Sequence, residues 1–241
     1  MIILKIGGNM INHLPDGFFE YVAEKQGAGE HIIIVHGGGN IISKCGEFVG
    51  ETVKKIDGIR VTNSTMMKIS DLLLNNVIQE QLSKKLMNHD IATHNLNSYD
   101  YSFVKGNYLD HDKYGEVGTI SHIDADWINK MTDNYVGLMS SIVYKNDTEK
   151  LNVNADIAAS EMASLLHADE LILLTDVCGV KVEDRILEQL NHKQALKLID
   201  EQYIVSGMIP KVKAALDAID HGVDNVTITN NLDEHGTVII N

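Results

Sequence analysis

The chain opens Ile2-Ile3-Leu4-Lys5-Ile6-Gly7-Gly8 after its first methionine, an apolar run interrupted by one lysine and closed by two glycines. Nothing in Ile2–Ile6 alternates polar with apolar, as a strand with one wet face would. A continuous run of this kind predicts a strand in a sheet covered on both faces. An amphipathic segment follows at about Gly17–Lys25, then a second apolar run, Ile32–Val35, ending in His36-Gly37-Gly38-Gly39 and opening onto Ile41–Glu51. The order of strand, glycine turn and helix recurs along the chain. Val136–Tyr144, Leu171–Thr175, Val226–Thr229 and Val238–Ile240 read as further strands. Ser64–His89, Ala155–Leu166, Lys193–Tyr203 and Pro210–His221 read as helices, with Asn63 or Ser64 as a cap and Gly222 as a stop. Alternation of this type predicts an α/β fold with a mainly parallel sheet.

Two stretches break the pattern. Val53–Val61 carries Asp57-Gly58 between alternating residues, which predicts a type I′ hairpin. Tyr101–Val104 and Gly115–Thr119 predict a second antiparallel piece. No repeat, low-complexity tract or linker divides the 241 residues, so one domain is expected. A formal charge of −14 argues against non-specific nucleic-acid binding, because no basic excess is present to displace counterions. Cys45 and Cys178 form neither a C-x-x-C nor a metal-ligand spacing, and the histidines show no ligand spacing on one helix face, so no protein metal site is expected. No run approaches a membrane span and the N-terminus lacks a signal-peptide pattern, so a cytoplasmic protein without membrane partners is expected.

Lys5 is the first residue with a chemical message. An unpaired lysine inside an apolar strand is costly to bury, so it either points out at an edge or serves a site. Gly7-Gly8 can be a tight turn alone, or can let backbone approach a phosphate. His36-Gly37-Gly38-Gly39 has the look of the oxyanion loop of lipases, but the G-x-S-x-G elbow that family needs is missing, as is a Walker loop. What remains is an anion cradle at a helix N-terminus, with His36 structural. Asn152, Asn154 and Asp156 alternate and would share one face of an extended segment, or simply form a polar loop and cap. Asp176 follows an apolar strand at its C-terminal end, the edge where ligands bind in open α/β sheets. Arg60, one of only two arginines, is a candidate for carboxylate recognition. Lys211, just past Pro210 at the start of the last amphipathic segment, is a second lysine beside a glycine, Gly207.

Taken in order, Lys5-Ile6-Gly7-Gly8, His36-Gly37-Gly38-Gly39, Gly58-Ile59-Arg60-Val61-Thr62, Asn152-Val153-Asn154-Ala155-Asp156, Leu174-Thr175-Asp176-Val177-Cys178-Gly179-Val180 and Gly207-Met208-Ile209-Pro210-Lys211 resemble the amino-acid kinase family, and within it the acetylglutamate kinases. The resemblance runs from residue 1 to about 222. It implies a three-layer αβα sandwich, with an acyl-acceptor lobe over about 1–168 and a nucleotide lobe over about 169–241. It also implies transfer of the ATP γ-phosphoryl group to the side-chain carboxylate of N-acetyl-L-glutamate, in arginine biosynthesis, with Mg²⁺ carried by the nucleotide. On this resemblance Lys5 and Lys211 stabilise the transferring group and Asp156 orients both. Gly7 and Gly8 approach the phosphates, while Gly38 and Gly39 offer backbone N–H groups and Arg60 and Asn152 grip the acid. Asp176, Val177, Cys178, Gly179, Val180 and Lys181, with Tyr203, Ile204 and Val205, line the nucleotide site.

The sequence departs from the family at Asn95–Lys105, where a glycine-rich segment is usual, and after Thr229, where an extra helix is usual. It starts at its first strand, without the N-terminal helix that arginine-inhibited members use to form hexamers. A simple homodimer insensitive to arginine is expected. Two other readings stand beside the main one: the same fold acting on an N-acylated aminoadipate, carbamate, glutamate or a nucleoside monophosphate, and a non-catalytic ligand sensor.

Overall fold

The computed structural model describes residues 1–97, 103–183, 185–233 and 236–241. Its centre is an eight-stranded sheet in the spatial order Gln189–Leu190, Thr237–Ile239, Asn225–Thr229, Glu170–Leu174, Ile2–Ile6, Ile32–His36, Val136–Ser140 and Thr93–Asn95. All neighbouring pairs are parallel except Asn225–Thr229 with Thr237–Ile239, which is antiparallel. The first strand is therefore central, with Lys5 between Leu173 on one side and Val35 on the other.

Side chains alternate across the strand, and the two parities enter different cores. Ile2, Leu4 and Ile6 join Phe18, Phe19 and Val22 of the helix Asp16–Gly27, together with Leu74, Ile78, Leu82 and Leu86 of the long helical segment after Ser64. Ile3 joins Ala158, Ala159, Met162 and Ala163 of the helix Ala155–Leu165 and Val212, Ala215 and Ile219 of the helix Met208–Asp220. This is the three-layer αβα sandwich with a mainly parallel sheet. The alanines let these last two helices lie close to the sheet and to each other, and each fully buried Ile or Leu contributes roughly 1.5–3 kcal/mol of transfer free energy. Lys5 shares the parity of Ile3, so its side chain points toward the starts of those two helices.

A second body closes off one end of this sheet: a four-stranded barrel of Lys150–Val153, Val117–Ile123, Val104–Tyr108 and Ile142–Tyr144. The expected single strand Val136–Tyr144 is in fact two, one in each body. Asn97 makes the break, accepting from the Ser140 N–H at 2.6 Å and donating to the Ile142 carbonyl at 2.9 Å, while the Ser140 hydroxyl donates to Asn75 at 2.6 Å. The expected helix Ser64–His89 likewise ends at Met87 and contains a π-helical turn, Leu73–Ile78, which carries Asn75. Asn63 does cap it, accepting from the Met66 N–H at 2.8 Å. The second antiparallel pair is shifted to Val104–Tyr108 with Val117–Ile123; Tyr101, where it was expected to start, lies outside the described residues, as do positions 98–102 of the divergent stretch. The helix Ala125–Thr132, capped by Asp124, was not foreseen. The hairpin Lys55–Ile56 with Ile59–Arg60 turns at Asp57 (φ 53°) and Gly58 (φ 80°), the two positive angles that a type I′ turn requires.

Candidate active site

Asp156 lies in the first turn of the helix Ala155–Leu165, where a carboxylate complements the helix dipole. Lys5 Nζ is 2.7 Å from its Oδ1, and Lys211 Nζ, from the first turn of Met208–Asp220, is 3.0 Å from its Oδ2. One carboxylate thus holds two ammonium groups, one on each oxygen. Lys5 is 3% and Asp156 5% exposed, while Lys211 reaches further into solvent. Burial pulls the Lys5 ammonium below its ordinary pKa, with Asp156 opposing and Lys211 assisting. Burial pushes the Asp156 carboxyl up, but the two neighbouring cations outweigh it and hold Asp156 below the usual carboxylate range. Two cations on one carboxylate leave a positive excess in a poorly solvated place, which suits an anion.

That excess opens onto a cavity of about 270 Å³ whose walls include Lys5, Gly7, Gly8, Gly37, Gly38, Gly39, Arg60, Asn152, Asn154, Asp156, Asp176 and Lys211. The two glycine loops stand side by side because their strands are neighbours. A Cβ on Gly8 would sit 2.6 Å from the Gly37 carbonyl oxygen and 2.9 Å from Gly38 Cα, so only glycine permits this contact. Gly39, at φ 39°, starts the helix Gly39–Phe48, whose N-terminus has no side-chain cap and lies on the cavity wall, where helix-start N–H groups suit an anion. His36 is fully buried behind the loop, with Nε2 3.2 Å from Gln79 Oε1, and burial pulls its pKa to about 4. It is held neutral and is structural.

Arg60 comes in from the hairpin. Its Nη1 donates to Ser43 Oγ at 2.9 Å and its Nη2 to the Gly39 carbonyl at 2.9 Å, which fixes the guanidinium plane over the helix start. Burial lowers its pKa from the ordinary arginine value. Asn152 donates to Thr62 Oγ1 at 3.0 Å, and Thr62 in turn donates to the Arg60 carbonyl at 3.1 Å, so the two are tied through one hydroxyl. Asn152, Asn154 and Asp156 do face one cavity, but not as an extended face. Asn152 lies in the strand Lys150–Val153, Asn154 caps the helix by accepting from the Asp156 and Ile157 N–H groups, and Asp156 is already helical.

Of the residues expected at a nucleotide, Gly7, Gly8 and Asp176 line this cavity. Val177, Cys178, Tyr203 and Val205 lie exposed beyond it, near the hairpin of Lys181–Val182 and Arg185–Ile186, and the Tyr203 hydroxyl donates to Glu183 at 3.2 Å. Gly179 packs on Thr237, whose hydroxyl oxygen accepts from the Val180 N–H at 2.8 Å. The side chains of Val180 and Ile204 are in the core, so only their backbones face outward chemistry. Asn9, Ser43, Lys55 and Ser141 were not singled out from sequence. Ser43 is one helical turn after Gly39, a spacing that would have placed it beside the cradle. Ser141 offers no such clue, since its position on the cavity wall depends on the strand break.

The model of the Amino acid kinase family matches residues 1–230. An acetylglutamate kinase of Leuconostoc citreum is 39% identical over 239 residues, covering 99% of this chain and 98% of the relative. One from Lactiplantibacillus plantarum is 35% identical over 240 residues, covering 100% of this chain and 97% of the relative. The crystal structure of smu.665 from Streptococcus mutans UA159 superposes with a TM-score of 0.93 at 36% identity, covering 99% of this chain and 97% of that one. With two lysines on one buried carboxylate, paired glycine loops and a match across nearly its whole length, this chain belongs to the amino acid kinase family.

Proposed function

We propose that this protein transfers the γ-phosphoryl group of ATP to the side-chain carboxylate of N-acetyl-L-glutamate, giving N-acetyl-L-glutamyl 5-phosphate and ADP, as a step of arginine biosynthesis. The observation that carries the reading is the pair Lys5 and Lys211 on the two oxygens of Asp156, in a cavity whose rim holds Arg60. The names of the full-length relatives support the choice of acceptor.

The chemistry asks little else of the protein. The acceptor carboxylate is ionised at neutral pH, so neither a general base nor a protein nucleophile is required. The task is to bring two anions together and to neutralise charge as it moves onto the bridging oxygens. Lys5 and Lys211 lie on the path of the transferred group. Asp156 keeps both ammonium groups charged and aimed. Gly8 and the Gly38–Gly39 cradle donate backbone N–H groups. Arg60 and Asn152 take the α-carboxylate and amide end of the acid. Asp176 faces the nucleotide, with Val177 to Lys181 and Tyr203 to Val205 beyond it toward the base and ribose. Nucleotide-borne Mg²⁺ would supply charge neutralisation on the phosphates, and Asp176, a hard oxygen donor on the cavity wall, is the residue that would face it. In this reading residues up to about 168 hold the acceptor and those from about 169 hold the nucleotide. The active unit is a homodimer in the cytoplasm, which light scattering of the purified protein and fractionation would check. Among the described residues, no helix is long and apolar enough to cross a membrane.

A coupled ADP-release assay, with hydroxylamine trapping of the acyl phosphate, tests the substrate. N-acetylglutamate should turn over faster than carbamate, glutamate or N-acetylaminoadipate. Equal or better turnover of another acid would overturn the assignment, and binding of both substrates without acyl phosphate would mark a sensor.

A further inference from the structure

Across the hairpin from the candidate active site is a second cavity, about 790 Å³, which shares Gly58, Ile59 and Pro210 with the first. Its body is apolar, built by Ile157, Ile199, Ile209, Ala214 and Leu109 from three helices and the barrel. Its charged wall is mismatched. Glu161, from the helix that carries Asp156, takes one hydrogen bond, from the Ile120 N–H at 2.6 Å. That N–H belongs to the strand Val117–Ile123, whose pairing with Val104–Tyr108 shifts register between Lys105 and Gly106, next to the Ile120 position. Asp217 of the last helix lines the same space and lies 3.5 Å from His221, one turn further along that helix. Lys213 lies on the wall too, yet among the described residues no lysine, arginine or histidine reaches ion-pair distance of Glu161, and Lys213 pairs with neither acid. The adjacent Ser160 hydroxyl is buried and has no hydrogen-bond partner.

A cavity of this size with apolar walls is within the range of small-molecule sites, and its few polar groups set what it accepts. Two carboxyls on the wall of an apolar chamber, neither ion-paired with Lys213, select a positive head on a hydrocarbon body. We propose that this chamber binds a small organic ammonium ion, its head between Glu161 and Asp217 and its apolar body against Ile157, Ile199 and Ile209.

The electrostatics give the binding a signature. Burial pushes the Glu161 carboxyl up to about 7, the Ile120 N–H pulls against it, and the Asp217 charge adds to the rise. The other charged or titratable groups on this wall are Lys213, Asp57 (paired with Lys113) and Tyr114. A cation seated beside Glu161 favours its ionised form, so binding near neutral pH expels about half a proton.

The test is titration calorimetry at pH 7 with phenylbutylamine, in two buffers of different ionisation enthalpy. Phenylbutyrate and phenylbutanol serve as anionic and neutral controls of the same shape. The amine should bind best and release the proton. Glu161→Gln should abolish the proton release, and both Glu161→Gln and Asp217→Asn should weaken amine binding roughly tenfold. Both changes are nearly isosteric, and thermal unfolding confirms that each variant is folded. No binding of the amine, equal binding of the three probes, or wild-type affinity in both variants overturns the proposal. None of these readouts uses catalysis, so the phosphoryl-transfer reading stands or falls separately.

Discussion

The carboxylate of Asp156 lies 2.7 Å from the ammonium of Lys5, joining the central strand of the sheet to the first turn of a helix packed across it. Both groups are nearly inaccessible to water. A buried ion pair of this kind is weak evidence for net stability, but removing one member leaves the other charge without compensation, at about 3–5 kcal/mol. Asp156→Ala should therefore lower the unfolding free energy by an amount in that range, read by urea denaturation. Asp156→Asn keeps the shape and a hydrogen-bond acceptor. It should unfold closer to wild type yet still lose most of its kcat, separating the role in aiming the lysines from the role in packing.

Loss of either ammonium removes a preorganised donor to the transferring group. Lys5→Ala and Lys211→Ala should each lower kcat by about 10²–10³. Their effects on stability should differ, because Lys5 leaves a void beneath the sheet while Lys211 is partly solvated. Steady-state kinetics with both substrates saturating, beside melting curves, will show it. Little change in kcat for either variant removes the proposed role.

Arg60→Ala should raise KM for the acid by the equivalent of about 1.5–3 kcal/mol while leaving KM for ATP near its original value. Ser43→Ala keeps the guanidinium but removes one of its two fixing bonds. A smaller rise, equivalent to about 0.5–1.5 kcal/mol, is expected. If Ser43→Ala has no effect while Arg60→Ala does, the Gly39 carbonyl suffices to orient the arginine.

Gly8→Ala tests the contact between the two loops. The added methyl would meet three backbone atoms of Gly37 and Gly38 within 2.9 Å, none of which is the end of a flexible side chain. The strands must separate locally, so kcat should fall and the melting temperature should drop. A variant with unchanged kinetics would mean that the cradle tolerates a wider spacing.

His36 gives a pH effect of definite sign. Its folded pKa of about 4 is below its unfolded value, so the unfolded chain binds more protons between those limits. Stability attributable to His36 is fully present above about pH 6.5 and is lost as pH falls toward 4, to the extent of about 3 kcal/mol. Subtracting the acid-unfolding curve of His36→Leu from that of wild type should isolate this slope. A flat difference over the interval would show that the imidazole is not held neutral.

The parts of this molecule that were legible in its sequence are those governed by local chemistry. Ile2–Ile6 and Ile32–Val35 announce a doubly covered sheet because neither run alternates polar with apolar residues, and even the one polar side chain, Lys5, is buried. Asp57-Gly58 announces its turn because few other pairs accept two positive φ angles. What the sequence concealed was set by distant partners. The apolar run around Ser140 and Ser141 has no local reason to break, and the reason is Asn97 and Asn75 reaching in from other elements. Val180 and Ile204 belong to stretches placed near a nucleotide by family likeness, yet their side chains are buried in the core. Of the two readings of Asn152, Asn154 and Asp156, the cap is the one the structure shows for Asn154, and the extended face stops there, because Asp156 is already in the helix that the apolar pattern of Ala155–Leu166 announces.

The pairing of Lys5 with Lys211 through Asp156 has a consequence for biosynthesis of the enzyme itself. Lys5 leaves the ribosome long before Lys211. The centre is complete only when the Met208–Asp220 helix packs against the sheet and the helix Ala155–Leu165, a contact of very high sequence separation. A fragment ending before Met208 would carry Lys5 and Asp156 but lack the second cation, and so would stay chemically silent.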